Sequence, residues 1–457
     1  MNDEFLAEVL PAFEKLESLD VSGTEVTDAS LKTILAVKDC SSLDIGGTQI
    51  TAAVLPAVAE STGLTRLGIS HLVLTAEHLR QLAPLTKLTQ LEFDTTKFDD
   101  DMAEQLAKFQ QLEELRCWDS RLTARGLNAI GTLSNLKTLQ LGGGRYTGRS
   151  LAALANLKSL TSLSLGQTII RDDDLAHLSG LKQLTSLEID TRFLTDAGLR
   201  HLGEFENVGY LQLTGEFGPD GLRHLAGMKS LDTLQVTHAR LAPGGLGALA
   251  SLPGLRSLFL YRVAFDGGDF TAWADAPLKD LSIDACAIEG SLAPLAGLKE
   301  LRSLSCSNID LDDAAVNQLL TSEGWSALEQ LELGYLPIDG SGLAGLAKLG
   351  ALRELTIRDC LLNDAGLAKL DAPAVTELDL TGNDFTSAGV GSLSRLPKIE
   401  WLTLSNNRLD DSAVPLLLKC EQLDLLDVTQ TDISVAGQER LREALPTASI
   451  YGDAEDE

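Results

Sequence analysis

The chain has 457 residues, with 37 Lys and Arg against 66 Asp and Glu, so its formal charge is −29. This excess of acids disfavours binding to nucleic acid or to an anionic membrane surface, because both need a surplus of basic side chains. No apolar run reaches the roughly 18 residues of a membrane span. We therefore expect a folded protein whose partners are neither nucleic acids nor membranes.

The first predicted element is a capping helix within residues 1–15. Phe5, Leu10 and Phe13 lie at helical spacing, and no strand precedes them. We expect residues 4–14 to cover the first edge of the core that follows.

From residue 16 to residue 450 the sequence repeats with a period of 23 or 24 residues, apart from one unit of 27. Each of 18 units carries Leu-x-x-Leu-x-Leu or a close variant, and Ile450 lies one period beyond the last. The second apolar position falls at Leu19, Leu43, Leu67, Leu91, Leu115, Leu139, Leu163, Leu187, Leu211, Leu234, Leu258, Leu281, Leu304, Leu331, Leu355, Leu378, Leu402 and Leu426. Such a period predicts one array of stacked units.

Each unit is predicted to hold one strand and one helix. Apolar and polar residues alternate from Leu163 to Leu165, as in a half-buried strand, and the segment from Thr195 to Leu199 leads into apolar residues at helical spacing. The first residue of that segment is Thr, Ser, Asp or Asn in 14 of 18 units, which are the residues that cap helices. We expect weaker or distorted helices where this column is broken, at Arg171, Gly218, Ala242 and Glu289.

Stacked units of this kind predict an α/β solenoid. Parallel strands are spaced about 4.8 Å apart and packed helices about 10 Å apart. The array should therefore curve into a horseshoe, with a parallel sheet on the concave face and helices on the convex face. Residues 451–457 follow as an acidic tail that we expect to be frayed.

The unit Leu-x-x-Leu-x-Leu-x-x-Thr-x-Ile-Thr-Asp-Ala-Gly-Leu resembles the leucine-rich repeat, in the helix-containing style of ribonuclease inhibitor and F-box-associated repeats. It is most similar to the long bacterial arrays of planctomycetes, which carry Thr where others carry Asn or Cys. The ninth position varies between these types, with Thr24, Thr48, Thr96, Thr168, Cys286, Cys360, Asn383 and Asn407. The resemblance implies the fold of the whole array and says little about its function.

Cysteine and acidic clusters are interpreted as structural. The six cysteines lack a Cys-x-x-Cys pair and mostly follow the register of the core, which indicates free thiols in a reducing compartment, the cytoplasm. The acidic runs 99–101, 172–174, 312–313 and 410–411 fall where helices start, so capping explains them better than calcium binding or catalysis.

A metal ladder of histidines is conceivable, because His177, His201 and His224 share one helical phase in successive units. Helices about 10 Å apart cannot bring three rings within about 2 Å of one zinc ion, so surface residues are the better interpretation. No catalytic grouping or phosphate-binding loop stands out. We expect no enzyme activity, no cofactor and no metal.

The predicted concave face carries the candidate binding residues. Most of its positions hold small or polar side chains, against which five aromatics stand out: Trp118, Tyr210, Phe259, Tyr261 and Trp401. Gln212 and Gln235 lie beside the central aromatics. Acids flank them, including Glu92, Asp94, Glu188 and Asp190, with Glu332, Glu377, Asp379 and Asp427 further along. Exposed aromatics often dominate binding energy, although these could simply pack on neighbouring strands.

The 27-residue unit offers a second candidate, because its extra residues around Thr321 to Ala327 include Trp325. An edge loop could contact a partner, or Trp325 could be buried and anchor its own loop.

Three functions remain open. The first is a non-enzymatic module, a monomer, that binds a protein with a basic patch on the acidic concave face. The family resemblance suggests two others: the substrate-recognition part of a ubiquitin-ligase-like effector, and an inhibitor of a basic enzyme.

Overall fold

A computed structural model describes residues 1–13, 15–93, 97–118, 120–144, 146, 148–322 and 324–453. The chain divides into two compact units. Unit 1 consists of Met1–Glu216 with His224–Leu231, and unit 2 consists of Phe217–Arg223 with Asp232–Glu457.

Parallel strands recur once per repeat in both units. In the described part of unit 1 they are Ser18–Asp20, Ser42–Asp44, Arg66–Gly68, Gln90–Glu92, Glu114–Cys117, Thr138–Gly142, Ser162–Gly166, Ser186–Ile189 and Tyr210–Leu213. In unit 2 they are Thr233–Thr237, Ser257–Tyr261, Asp280–Asp284, Ser303–Ser307, Gln330–Gly334, Glu354–Arg358, Glu377–Asp379, Trp401–Thr403, Leu425–Asp427 and Ser449–Tyr451. Equivalent leucines pair in register, as Leu163 does with Leu187 and Leu402 with Leu426. The predicted strands and their register are confirmed.

Short helices follow the strands. The α-helices are Asp3–Val9, Leu31–Leu35, Leu55–Val58, Ala76–Gln81, Asp100–Leu106, Ala124–Ile130, Gly148–Leu151 and Asp196–Leu202 in unit 1, and Pro219–Arg223, Gly245–Leu249, Asp313–Thr321, Asp364–Leu367, Ser387–Val390, Val414–Leu417 and Val435–Ala444 in unit 2. The 3-10 helices are Leu10–Ala12, Asp28–Ser30, Ala52–Val54, Leu154–Asn156, Asp172–Leu178, His224–Gly227, Gly267–Trp273, Ala293–Gly297, Leu343–Lys348, Gly391–Arg395 and Asp411–Ala413.

Repeats that lack a capping residue depart from the common form. A 3-10 helix forms behind Arg171 and behind Glu289, as the broken column predicts, but the prediction is wrong for Gly218 and Ala242, which are followed by the α-helices Pro219–Arg223 and Gly245–Leu249. A 3-10 helix also follows the cap residue Asp266, so the cap residue alone does not decide the type of helix. Unit 2 also contains a second set of short parallel strands beside the main ones, at Arg240–Leu241, Ala264–Asp266 and Ala287–Glu289, while Glu216–Phe217 is a further short strand. Backbone pairing between repeats thus supplements weak helix starts there.

The core is formed by the repeated leucines, and the long unit adds a tryptophan to it. Leu163 and Leu187 are fully buried. Trp325 is 5% exposed, and its Nε1 donates a hydrogen bond of 2.8 Å to the carbonyl oxygen of Leu319. Of the two interpretations of the long unit, the structure favours an anchor for the loop over a binding residue.

Both ends of the array differ in detail from the prediction. At the start, Leu6 and Leu10 are the buried residues, whereas Phe5 and Phe13 are about half exposed, so the helix turns a different side chain toward the core. At the other end, the predicted frayed tail starts too early, because Tyr451 belongs to the last strand. Residues 454–457 lie outside the described part of the chain.

The Asp that follows the cap residue links neighbouring repeats. The Oδ1 atom of Asp172 accepts a hydrogen bond of 2.8 Å from the Thr195 amide of the next repeat, and its Oδ2 accepts one of 2.7 Å from the Thr195 hydroxyl. Equivalent carboxylates bridge to the cap residues Thr27, Thr51, Thr123, Thr386 and Ser434. The acidic runs therefore cap helices, as predicted, and also fasten successive repeats.

These links predict a loss of stability in acid. Partial burial alone would raise the pKa of Asp100, but hydrogen bonds from Thr123 and Gly126 and the charge of Arg125 together lower it. A lowered pKa contributes stability that is present above the unfolded value, about 4, and lost as the pH falls through the folded value. We expect the free energy of unfolding to fall below about pH 4.

Asp100→Asn tests this link in urea unfolding at pH 7 and pH 3. The variant should lose about 1 kcal/mol at pH 7, because it weakens the hydrogen bonds, and should lose less than the wild type on acidification. Glu8→Gln, which changes an exposed acid of the first helix, is the control and should follow the wild type. An equal decline of Asp100→Asn and wild type would contradict the assignment.

Candidate functional site

The candidate site is a surface that we call the strand face. In each repeat it consists of three side chains: the one directly before the second apolar residue, the one directly after it, and the one directly after the third apolar residue. In one repeat of unit 1 these are Ser162, Ser164 and Gly166. Because side chains alternate along a strand, these three positions point away from the buried leucines. All five predicted aromatics occupy such positions.

Trp118 is packed more closely than predicted. A Cβ atom placed on Gly142 would lie 2.7 Å from Cε3 of its indole, and one placed on Gly166 would lie 2.9 Å from Cζ3. The indole therefore lies over the glycines of the next two strands and is partly buried. Packing on neighbouring strands, the alternative to partner binding, therefore explains the position of the Trp118 side chain.

Tyr210, Gln212 and Glu188 come together in unit 1. The Tyr210 hydroxyl lies 3.3 Å from Oε1 of Gln212, and Gln212 pairs in register with Glu188 on the preceding strand. Burial, and then the charge of Glu188, raises the pKa of Tyr210. The tyrosine is thus a neutral donor beside a carboxylate, an arrangement suited to polar contacts with another protein.

The predicted acidity of unit 1 is partly neutralised by arginines on the same face. Nη2 of Arg66 lies 3.5 Å from Oε2 of Glu92, and Arg116 forms an ion pair with Glu114. The prediction of an acidic face considered only the acids. It left out these two arginines, although they occupy strand-face positions in their own repeats. Asp190 is half-buried at the end of its strand, and Asp94 lies outside the described residues.

Gln235, Phe259 and Tyr261 come together in unit 2. Gln235 pairs in register with Phe259, which is 37% exposed. The Tyr261 ring packs edge-on against His238, with 5.4 Å between ring centroids, and Cζ of Arg262 lies 5.1 Å from the Tyr261 centroid. These contacts hold Tyr261 in place beside Phe259.

His238 and Arg262 were missed by the sequence analysis. Each is the second residue after the third apolar residue of its repeat. Both have a left-handed backbone, with φ of 48° at His238 and 54° at Arg262. This turn recurs in most described repeats, where Gly, Asn, Gln, Asp, Ala or Tyr can occupy it. The position was visible in the alignment of repeats, but its conformation was not.

Trp401 is the most exposed of the five aromatics, at 50%. It pairs in register with Glu377 on one side and with Leu425 on the other. Six strand steps of about 4.8 Å separate its strand from that of Phe259, so it forms a separate part of the strand face.

The described residues offer little for metal or nucleophilic chemistry. Among them, no three His, Cys, Asp or Glu side chains are grouped closely enough to hold a metal ion. Burial raises the pKa of Cys306 to about 12, so this thiol stays protonated. None of the helices described here is long and apolar enough to cross a membrane.

Comparison with known proteins gives family and fold matches. A sequence profile described as "Leucine Rich repeat" matches residues 14–35 and 373–394. No curated protein matches the sequence significantly. A solved internalin of Listeria monocytogenes is 20% identical with a TM-score of 0.40, and the match covers 89% of this chain and 95% of that one.

Two further solved structures illustrate the range of similar proteins. A leucine-rich-repeat protein of Leptospira interrogans is 19% identical with a TM-score of 0.44, covering 98% of this chain and 99% of the other. The Arabidopsis thaliana receptor kinase HAESA, solved with the peptide hormone IDA and the co-receptor SERK1, is 17% identical with a TM-score of 0.46, covering 96% and 79%.

Proposed function

We propose that this chain, which is a leucine-rich-repeat protein, is a non-enzymatic module that binds a protein partner through its strand face. The observation that carries the proposal is the group of Gln235, Phe259 and Tyr261, where exposed aromatic surface is held in place by neighbouring side chains. Aromatic side chains fixed in advance lose little entropy on binding and often dominate interface energies.

The partner is proposed to carry a basic patch. The chain has a formal charge of −29, and Asp280 and Asp284 lie on the strand that pairs with the strand of Phe259. Complementary charge would speed the encounter and select the partner, while the aromatics would supply most of the affinity. Binding should therefore weaken as salt is raised.

Capture from source-cell lysate on the immobilised chain tests the proposal. We expect Phe259→Ala with Tyr261→Ala to weaken capture of a specific protein about 30-fold or more, because a hot-spot aromatic contributes about 2 kcal/mol. Tyr210→Ala, tested separately, examines the polar group of unit 1. Should the captured protein be an enzyme that loses activity on binding, the inhibitor alternative gains support.

The matched control is Phe5→Ala with Phe193→Ala, which removes two exposed aromatics that lie outside the strand face. This control should capture the partner as the wild type does, and circular dichroism should show that every variant is folded. Retention of the same partner by all strand-face variants would contradict the proposal and direct attention to the helices.

A further inference from the structure

In the last repeats of unit 2, the strand face combines an exposed tryptophan with neighbouring carboxylates. Glu377 pairs in register with the half-exposed Trp401, Glu354 pairs in register with Glu377 on the strand beyond, and Glu400 directly precedes Trp401 in the sequence. Tyr451, two strands further on, is 54% exposed on the same face. We name Trp401 with these three glutamates the Trp401 surface.

The acids of the Trp401 surface lack the basic partners that some acids elsewhere on the strand face have, such as Glu92, Glu114 and Glu332. Oε1 of Glu332 lies 2.8 Å from Nη2 of Arg358, and its Oε2 accepts a hydrogen bond of 2.9 Å from the Ser305 hydroxyl. Among the described residues, by contrast, no basic side chain forms an ion pair with any of the three glutamates. The nearby Arg353 donates instead to the carbonyl oxygen of Ala374, at 3.0 Å.

The absence of a cation leaves like charges facing each other. Partial burial, and then the charges of Glu354 and Glu400, raises the pKa of Glu377. Like charges directly opposite in a sheet are destabilising. A cation brought by a partner would relieve this repulsion, and it would do so beside an indole ring, which also attracts cations.

We propose that the Trp401 surface receives an arginine side chain from an extended segment of the partner protein. The guanidinium group is planar, so it can stack on the indole while it donates to carboxylates at its edge. Calcium or a lysine side chain would gain the charge interaction without this stacking. The inference rests on the proposed function, since it names the chemistry by which the strand face selects its partner.

Synthetic peptides test the inference on the full chain. The first alternates threonine and arginine over eight residues, and the second carries citrulline, the neutral analogue, at each arginine position; both have a fluorescent label for anisotropy measurements. We expect the arginine peptide to bind and the citrulline peptide to bind at least tenfold more weakly. Trp401→Ala should weaken the arginine peptide about tenfold.

The charge variant is Glu377→Gln with Glu400→Gln, and it has a matched control. Glu439→Gln with Glu443→Gln makes the same change in net charge on the helix Val435–Ala444 of the same unit. We expect about tenfold weaker binding in the first pair and less than twofold in the second. The first pair should also raise the Tm of the free protein, because it removes the repulsion.

Several results would overturn the inference. These are equal weakening by both glutamate pairs, equal binding of the citrulline peptide, no binding of the arginine peptide, or no rise in Tm. If the arginine peptide fails while Phe259→Ala with Tyr261→Ala still abolishes capture of a partner, the proposed function stands and only this inference falls. If no partner is captured but the arginine peptide binds as expected, the proposed function falls, while recognition of arginine by the Trp401 surface stands.

Discussion

Asn383→Ala is expected to lower the free energy of unfolding by about 3 kcal/mol. The Asn383 side chain is buried at the ninth position of its repeat. Its Nδ2 donates to the carbonyl oxygens of Ile357, at 2.7 Å, and Leu380, at 2.9 Å, while its Oδ1 accepts from the amide of Leu362 at 3.3 Å. Alanine would leave the Ile357 carbonyl and the Leu362 amide without this partner and would remove one of the two hydrogen bonds that the Leu380 carbonyl accepts, at about 1 kcal/mol or more each.

The same arrangement recurs one repeat later and couples the two sites. Asn407 donates from Nδ2 to the carbonyl oxygens of Leu380 and Leu404, each at 2.9 Å, and its Oδ1 accepts from the amide of Asn383 at 3.0 Å. The carbonyl of Leu380 thus accepts from both asparagines. Either asparagine alone keeps this carbonyl paired, and only the double replacement leaves it without a side-chain donor, so replacing both residues should cost more than the sum of the single losses.

Cys360→Ala is the matched control, because Cys360 occupies the ninth position of the preceding repeat. Its thiol makes only long contacts, at 3.3 Å to the carbonyl oxygen of Arg358 and 3.6 Å to that of Leu333. A thiol is a weak donor, so we expect a loss of about 1 kcal/mol. Urea unfolding followed by circular dichroism compares the variants, and equal losses at the two positions would show that the amide bonds contribute little.

The repeat itself could be predicted because it depends on the order of apolar residues. Equivalent leucines must pair in register to share one core, so a period of 23 or 24 residues fixes both the strands and their partners. The asparagine bonds were out of reach, since their acceptors are backbone carbonyls that any residue provides. The sequence shows only that Asn383 and Asn407 replace Thr or Cys.

The candidate site was predicted by position but not by exposure. Trp118 and Trp401 both fall on the strand face, yet one indole lies over Gly142 and Gly166 while the other stands half exposed among acids. The two glycines were visible in the sequence, and they could have indicated room for a flat ring. The ion pair of Arg66 with Glu92 depends on side-chain geometry, which a count of charges does not contain.

The second large effect is expected for Gly198→Ala, with a loss of about 2 kcal/mol. Gly198 is the glycine of the Thr-Asp-Ala-Gly-Leu segment in unit 1, and a Cβ atom there would collide with Cδ1 of Leu194 and would lie 2.6 Å from Oδ1 of Asp172 in the preceding repeat. The side chain that fastens Thr195 would have to move, or the repeats would have to separate. Overpacking of this kind typically costs about 1–3 kcal/mol, which outweighs the better helix propensity of alanine.

Two comparisons separate this crowding from the general effect of replacing glycine. Gly63, also in unit 1, has no atom within 4 Å of its Cβ direction, so Gly63→Ala should change the free energy of unfolding by less than about 0.5 kcal/mol. In the background of Asp172→Ala the crowding carboxylate is gone, and Gly198→Ala should then cost about 1 kcal/mol less than it does in the wild type. If Gly198→Ala costs the same in both backgrounds, contact with Leu194 or the helix itself requires the glycine, and the bond between repeats does not explain why glycine stands in this segment.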